Sequence, residues 1–255
     1  MTDPMRLLTV GATGSIGRHV VTRAVREGYA VRALVRDPDR ARHFPHEVEV
    51  IVGDLTRADT LEAAVADIDA IVFTHGTYGG DPGAARAVDY GGVRNVLAAL
   101  QGRKVRVALM TTIGVTDRKG VHDWKRRGER LLRVSGLPYT IVRPGWFDYN
   151  KSDQRRLVLL QGDRRQSGTP RDGAVARDQI AEVLVRSLRS RAALRKTFEL
   201  VSETGLEPAD VEALFAGLDA DPVDALDGVH DARNMPLAAE PQPVQMDLKQ
   251  EGTAL

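Results

Sequence analysis

The 255-residue chain has no cysteine. Disulfides, thiolate zinc sites and a cysteine nucleophile are thereby excluded, and the redox compartment is left open. It also lacks an excess of either charge: 36 lysines and arginines face 35 acidic residues, so no global field draws it to nucleic acid or a membrane surface. No apolar run approaches the ~18 residues of a spanning helix. The run Leu7 to Val10 is far shorter than a signal-peptide core, and a cytoplasmic protein is expected. Aromatic residues are scarce at 5%, which sets apart the cluster Trp146, Phe147 and Tyr149. No GxxxxGK phosphate loop occurs. Ser15 lacks the glycine two residues earlier that a nucleophile elbow needs, since Thr13 stands there. His43 and His46 straddle Pro45, which breaks any helix that would align them on a metal, so no metal site is expected.

What is present is organised around Leu7 to Gly17, LLTVGATGSIG. A short apolar run ends in Gly11, Gly14 and Gly17. Gly11 suits a tight turn off a strand, Gly14 lets backbone approach a diphosphate, and Gly17 lets the next helix pack close to the sheet. Ile16, Val20 and Ala24, with Val21 and Val25, form a helical apolar face, and Ala30 to Val35 reads as a second strand. This βαβ setting turns a weak glycine pattern into a dinucleotide-binding expectation, with the anion on the helix N-terminus.

Arg36 and Asp37 follow the second strand. An acidic residue there reads the ribose of NAD, whereas an arginine accommodates the 2′-phosphate of NADP. Asp37 is explained as an N-cap before Pro38, which leaves Arg36 for phosphate and favours NADP. Glu47 to Val52 is a third strand. Asp54 and Leu55 at its end suit either an adenine pocket or a turn. Ala70 to Thr74 is a fourth strand, and Thr74, His75 and Gly76 fall at the cofactor crevice. His75 reads as a wall residue more readily than as an acid.

The loop Thr77 to Gly83 is expected to be mobile, and a helix runs to Leu100 despite Gly91 and Gly92. Arg106 to Thr112 is a fifth strand that places Thr112 where nicotinamide and substrate would meet. Val121 to Ser135 is a helix, and Tyr139 to Arg143 a sixth strand leading into Pro144, Gly145 and Trp146. Later elements are a strand over Arg156 to Gln161, a polar loop to Gly173, a helix capped by Asp178, a strand over Thr197 to Val201 and a short helix over Pro208 to Leu218. From Asp219 the chain shows no periodicity, and a partly disordered tail is expected.

The segments VGATGSIGRHV, VRALVRDP, GDLT, TTIG and WKRRGERLLRVSGLPYTIVRPGWF resemble the atypical short-chain dehydrogenase/reductase superfamily, particularly its NmrA-like and NAD(P)-binding members, over Met5 to Phe147. The resemblance implies that Gly11, Thr13, Gly14, Ser15, Ile16 and Gly17 form the diphosphate loop, that Arg36 reads the 2′-phosphate, and that Asp54 and Leu55 belong to the adenine pocket. It implies that Thr112 bonds the reacting oxygen and that Lys125 holds the nicotinamide ribose. The family's catalytic tyrosine lies one helical turn before that lysine, but Val121 stands there and cannot donate a proton. Tyr149 or Tyr78 from another segment, His122, or Lys125 itself would have to replace it. Lys125 with Thr112 is preferred. The plain alternative for Lys125 is a solvated face paired with Glu129.

The expected fold is a doubly wound parallel α/β sheet, a Rossmann fold, with a cofactor-binding core over 1–145, a small substrate lobe over 146–218 and the irregular tail over 219–255. The expected function is an NADP-dependent oxidoreductase acting on a small carbonyl, alcohol or enone. A non-catalytic NADPH-binding regulator and a non-redox isomerase or dehydratase are the alternatives. Partners are expected to be a small-molecule substrate, with no nucleic acid or membrane, in a monomer or homodimer.

Overall fold

The structure is a computed structural model that describes residues 3–77 and 80–253. Tyr78, one candidate replacement for the missing tyrosine, lies outside the described residues, as does part of the loop expected to be mobile. The chain runs β1 (Arg6–Val10), α1 (Gly17–Arg26), β2 (Ala30–Val35), β3 (Glu49–Val52), α2 (Glu62–Val65), β4 (Ala70–Phe73) and α3 (Pro82–Ala85). It continues through a π-helical turn (Arg86–Tyr90), α4 (Gly91–Leu100), β5 (Arg106–Met110), α5 (His122–Val134), β6 (Tyr139–Pro144), β7 (Trp146–Phe147) and β8 (Arg156–Leu160). Last come β9 (Ala174–Val175), α6 (Arg177–Ser187), β10 (Lys196–Glu203), α7 (Glu212–Ala216) and α8 (Gln242–Thr253).

Ten strands form one sheet in the order β3-β2-β1-β4-β5-β6-β10-β9-β7, with β8 antiparallel to β10. The first six strands are parallel and in the doubly wound order. Alternation along β1 decides the layers: Leu7 packs with Val20, Ala24, Ile180 and Leu184 on the α1 and α6 side, and Leu8 packs with Val93, Val96, Leu131 and Leu132 on the α4 and α5 side. Because strands of a parallel sheet are covered on both faces, β1, β4, β5 and β6 are buried almost from end to end, including Thr9, Arg106, Thr140 and Arg143. All six of these parallel strands therefore end on one edge, where the glycine turn lies.

Two expectations are corrected. Asp178 does not cap α6: the cap position is Ala176, without a side-chain bond, and Asp178 instead takes two hydrogen bonds from Arg155 at 3.1 and 2.7 Å. The tail from 219 onward carries α8, whose Val244 and Leu248 are buried in the α4 and α5 layer. Its Asp227, Asp231 and Glu240 reach buried arginines of α5 and β6. Its polar composition conceals carboxylates that are counter-ions. Among the described residues no helix is long and apolar enough to cross a membrane.

Candidate functional site

Backbone crowding explains each glycine of the first turn. Gly11 has φ of +80°, and a Cβ there would stand 2.7 Å from the His75 backbone nitrogen. A Cβ on Gly17 would lie 2.1 Å from the Gly11 carbonyl oxygen, so α1 starts as close to the strand end as a chain permits. Gly14 is looser, at 3.0 Å from the same oxygen. Thr74 ties the turn down, its hydroxyl donating to the carbonyls of Val10 at 3.0 Å and Gly11 at 3.3 Å. Helix α1 begins at Gly17 after Ile16, with no side-chain cap and no acidic residue in its first turn. Bare backbone at an uncapped helix start fits a diphosphate. Thr13 and Ser15 border this turn, and Ser15 is exposed.

On the far side of β2, Asp37 accepts a hydrogen bond from the Asp39 N–H at 3.0 Å with Pro38 behind it, the capping role read from sequence. Arg36 is exposed, and the described contacts give it no ion pair. Its charge reaches Asp54, whose carboxyl is held below its ordinary range, first by the Thr56 N–H and further by Arg36 and Arg57. Asp54 thus has its turn role, while Leu55 beside it is half-buried and its carbonyl accepts from Asn95 at 2.6 Å.

The centre of the edge is a buried ion pair. Lys125 of α5 donates to Asp89 at 2.8 Å, with side chains 14% and 3% exposed. Asp89 also accepts from the Thr77 N–H at 3.0 Å and the Thr77 hydroxyl at 2.7 Å, fixing the segment after β4. A Cβ on Gly76 would come within 2.9 Å of Lys125 Nζ, so that glycine admits the lysine. The π-helical turn puts Asp89 inward, and Gly128 lets α5 approach, since a Cβ there would stand 3.1 Å from the Asp89 carbonyl oxygen. Lys125 is therefore no solvated residue paired with Glu129; Glu129 is engaged by Arg143 and Arg133.

His75 packs its ring on Gly92, where a Cβ would meet Nε2 at 3.1 Å. The glycines that weaken the helix in sequence terms make room for this histidine. Burial, then the Lys125 charge, pushes its pKa down to about 4. A neutral ring at pH 7 fits a wall residue. Its Nδ1 is buried without a partner, and the residue borders a space of about 10 Å³ shared with Asp89, Thr111 and Lys125. His122 is likewise lowered, first by burial and then by Lys125, and its Nδ1 is buried without a partner. Thr112 is half-buried at the end of β5, its hydroxyl donating only to the Ile113 carbonyl at 3.2 Å.

After β6 the backbone is committed to the sheet. The Pro144 carbonyl accepts from Ile113 at 3.0 Å, the Gly145 N–H donates to Leu200 at 2.9 Å, and the Trp146 N–H donates to Gly173 at 2.9 Å. A Cβ on Gly145 would lie 2.4 Å from the Gly173 carbonyl oxygen, so this glycine serves strand packing. What remains for a ligand is the half-buried Trp146 ring, with Tyr149 edge-on at 5.6 Å. Tyr149 is 64% exposed.

Sequence reasoning missed the charged layer beneath. Arg126, Arg130 and Arg143 are fully buried, Arg143 pairing with Glu129 and Asp231 at 2.7 Å each and Arg130 with Asp227 at 2.7 Å and Glu240 at 3.0 Å. The one available signal was the density of arginine on a helix whose other face is apolar.

A doubly wound sheet with a glycine turn at an uncapped helix start defines a dinucleotide-binding Rossmann protein. The profile of a family described as NAD(P)H-binding matches residues 11–191, and the chain belongs to that family. An uncharacterized chloroplastic protein of Arabidopsis thaliana is 28% identical over 247 residues, covering 84% of this chain and 75% of its own length. The photosystem II assembly factor Ycf39 of Cyanophora paradoxa is 29% identical over 213 residues, covering 81% of this chain and 66% of its own. In fold, the chain is similar to a Bacillus halodurans protein described as a NAD-dependent epimerase/dehydratase, with TM-score 0.69, 22% identity and coverage of 84% of this chain and 100% of that one.

Proposed function

We propose that the protein is an NADPH-dependent oxidoreductase that moves hydride between the nicotinamide and a small, flat carbonyl, alcohol or enone. The observation that carries this reading is Lys125, held at 2.8 Å by Asp89 at the strand edge that also bears the Gly11 turn. In this reading Gly11, Gly14 and Gly17 admit the diphosphate, Arg36 the 2′-phosphate, and Asp54 and Leu55 the adenine. Lys125 orients the nicotinamide ribose. The nicotinamide, when bound, supplies or accepts the hydride. The Thr112 hydroxyl holds the reacting oxygen, and Lys125 passes the proton directly or through one water, because Val121 has no proton to give. Trp146 and Tyr149 wall a flat substrate.

Val121 also favours a second reading, a non-catalytic NADPH-binding regulator, in keeping with a relative named as an assembly factor. Lys125→Ala separates the two. An oxidoreductase loses NADPH turnover, whereas a regulator has none to lose and keeps its partner binding.

A further inference from the structure

We propose that the groove between the π-helical turn, α4 and α8 is a second ligand site, and that it takes a flat aromatic ring bearing a carboxylate or phosphate. The site is separate from the crevice, and the inference stands whether or not the crevice carries out hydride transfer.

Consecutive residues of the same two elements serve the two sites. Asp89 and Lys125 form the crevice ion pair, while Tyr90, next along the turn, and Trp124, just before the lysine, stand with ring centroids 5.7 Å apart. Tyr90 and Trp124 line a space of about 260 Å³ together with Arg86 and Arg94 and, from α8, Pro243 and Asp247. The crevice residues His75, Asp89, Thr112 and Lys125 do not border it. Segments far apart in the chain build its walls, and its size approaches the ~300 Å³ at which sites for small molecules begin.

Charge in the groove is unbalanced. Asp247 is the carboxylate that lines it, and it is already engaged, accepting the Tyr90 hydroxyl at 2.7 Å and standing 3.7 Å from Arg94. Two guanidiniums lie over the Trp124 ring, that of Arg127 at 4.3 Å from the centroid and that of Arg86 at 5.7 Å. Their partners differ. Arg127 is neutralised by Glu240 at 2.6 Å, whereas Arg86 is exposed and has neither a hydrogen bond nor an ion pair among the described residues. Arg94, further along the same helical run, is 46% exposed and spends its nearest bond on Asn95 at 3.1 Å. A guanidinium that stands over a half-buried indole without a counter-ion offers ring contact and forked oxyanion recognition in one place. A flat aromatic anion satisfies both, its ring on Trp124 and its oxygens on Arg86, with Arg94 as a second cation. A cationic ligand would meet two arginines and one carboxylate already in use, and a neutral one would leave Arg86 unpaired.

The test titrates matched probes calorimetrically into the full chain with NADP⁺ present. 2-Naphthoate and 2-naphthyl phosphate carry the anion, and 2-naphthamide shares their ring without the charge. At least one of the two anions is expected to bind about tenfold or more tightly than the amide, and the tighter of them identifies the oxyanion. Arg86→Gln should weaken that anion about tenfold to a hundredfold, the span for losing a charge-assisted hydrogen bond, and should change the amide by less than about twofold. Arg86→Lys keeps the charge without the fork and should fall between, with thermal midpoints confirming that both variants fold. Trp146→Leu, which alters the crevice wall, should leave anion binding within about twofold of wild type. Equal affinity for anion and amide, full binding in Arg86→Gln, a loss in Trp146→Leu matching that in Arg86→Gln, or no binding of either anion at millimolar concentration overturns the inference. None of these outcomes touches the oxidoreductase reading, which is measured by NADPH turnover.

Discussion

Lys125 and Asp89 lie 36 residues apart and meet at 2.8 Å beneath the turn after β4. The pair joins α5 to the π-helical turn, and through Thr77 it fixes the segment that faces the Gly11 turn. A lysine so held cannot swing freely into solvent. It is presented at one place, which the proposed function assigns to the nicotinamide ribose and the reacting oxygen.

Replacing Asp89 with Ala removes the counter-ion of a lysine only 14% exposed. Such breakage costs about 3–5 kcal/mol when the remaining charge stays buried, and somewhat less here because Lys125 can relax toward solvent. Chemical denaturation should show this loss, and turnover should fall further than in Asp89→Asn, which keeps an acceptor for the Thr77 N–H.

The two later glycines of the turn should respond differently to alanine. Gly17→Ala drives a Cβ to 2.1 Å from the Gly11 carbonyl oxygen, and overpacking of this kind costs about 1–3 kcal/mol. Its thermal midpoint should drop by several degrees. Gly14→Ala meets that oxygen at 3.0 Å, a milder crowding, so its midpoint should fall less than that of Gly17→Ala while NADPH affinity weakens about tenfold.

Arg36 is exposed and forms no described ion pair, so its removal should leave stability unchanged within about 0.5 kcal/mol. Arg36→Ala should weaken NADPH about tenfold to a hundredfold and NADH hardly at all, as expected for lost bonds to a phosphate. Titrations of both cofactors against both proteins measure it.

Glu199 gives a pH signature. Burial raises its pKa from 4.5 to about 8, against the pull of Arg143. The folded protein holds this proton more tightly than the unfolded chain, so the contribution to stability is full below about pH 4.5 and is lost as pH rises through about 8. His75, lowered to about 4, works in the opposite direction: its contribution is present above its ordinary 6.5 and is lost as pH falls toward 4. The difference between wild type and Glu199→Gln isolates the glutamate. The variant should gain relative to wild type from pH 5 to 8, by on the order of a few kcal/mol, in urea unfolding.

How much of this was legible follows from distance along the chain. The glycine turn and the βαβ unit arise from spacing over a few residues, and Asp37 before Pro38 announced its own cap. Lys125 was legible as a candidate, but the neighbour suggested by helical spacing, Glu129, belongs to Arg143 and Arg133. Its true partner is brought by the sheet. The tail was opaque for the same reason: Arg126 bonds Asp227 from 101 residues away, and nothing in the local pattern of either marks the pairing. Asp227→Ala leaves Arg126 and Arg130 each short of a carboxylate, and thermal melting should register a loss of about 3–5 kcal/mol.

The most direct measurement of the central claim is NADPH oxidation by the purified protein over a panel of ketones, aldehydes, enones and quinones, run beside Lys125→Ala. The account predicts turnover with at least one class, reduced about a hundredfold or more in the variant while NADPH still binds. Tight NADPH binding with no turnover on any class would contradict it and leave the regulator in its place.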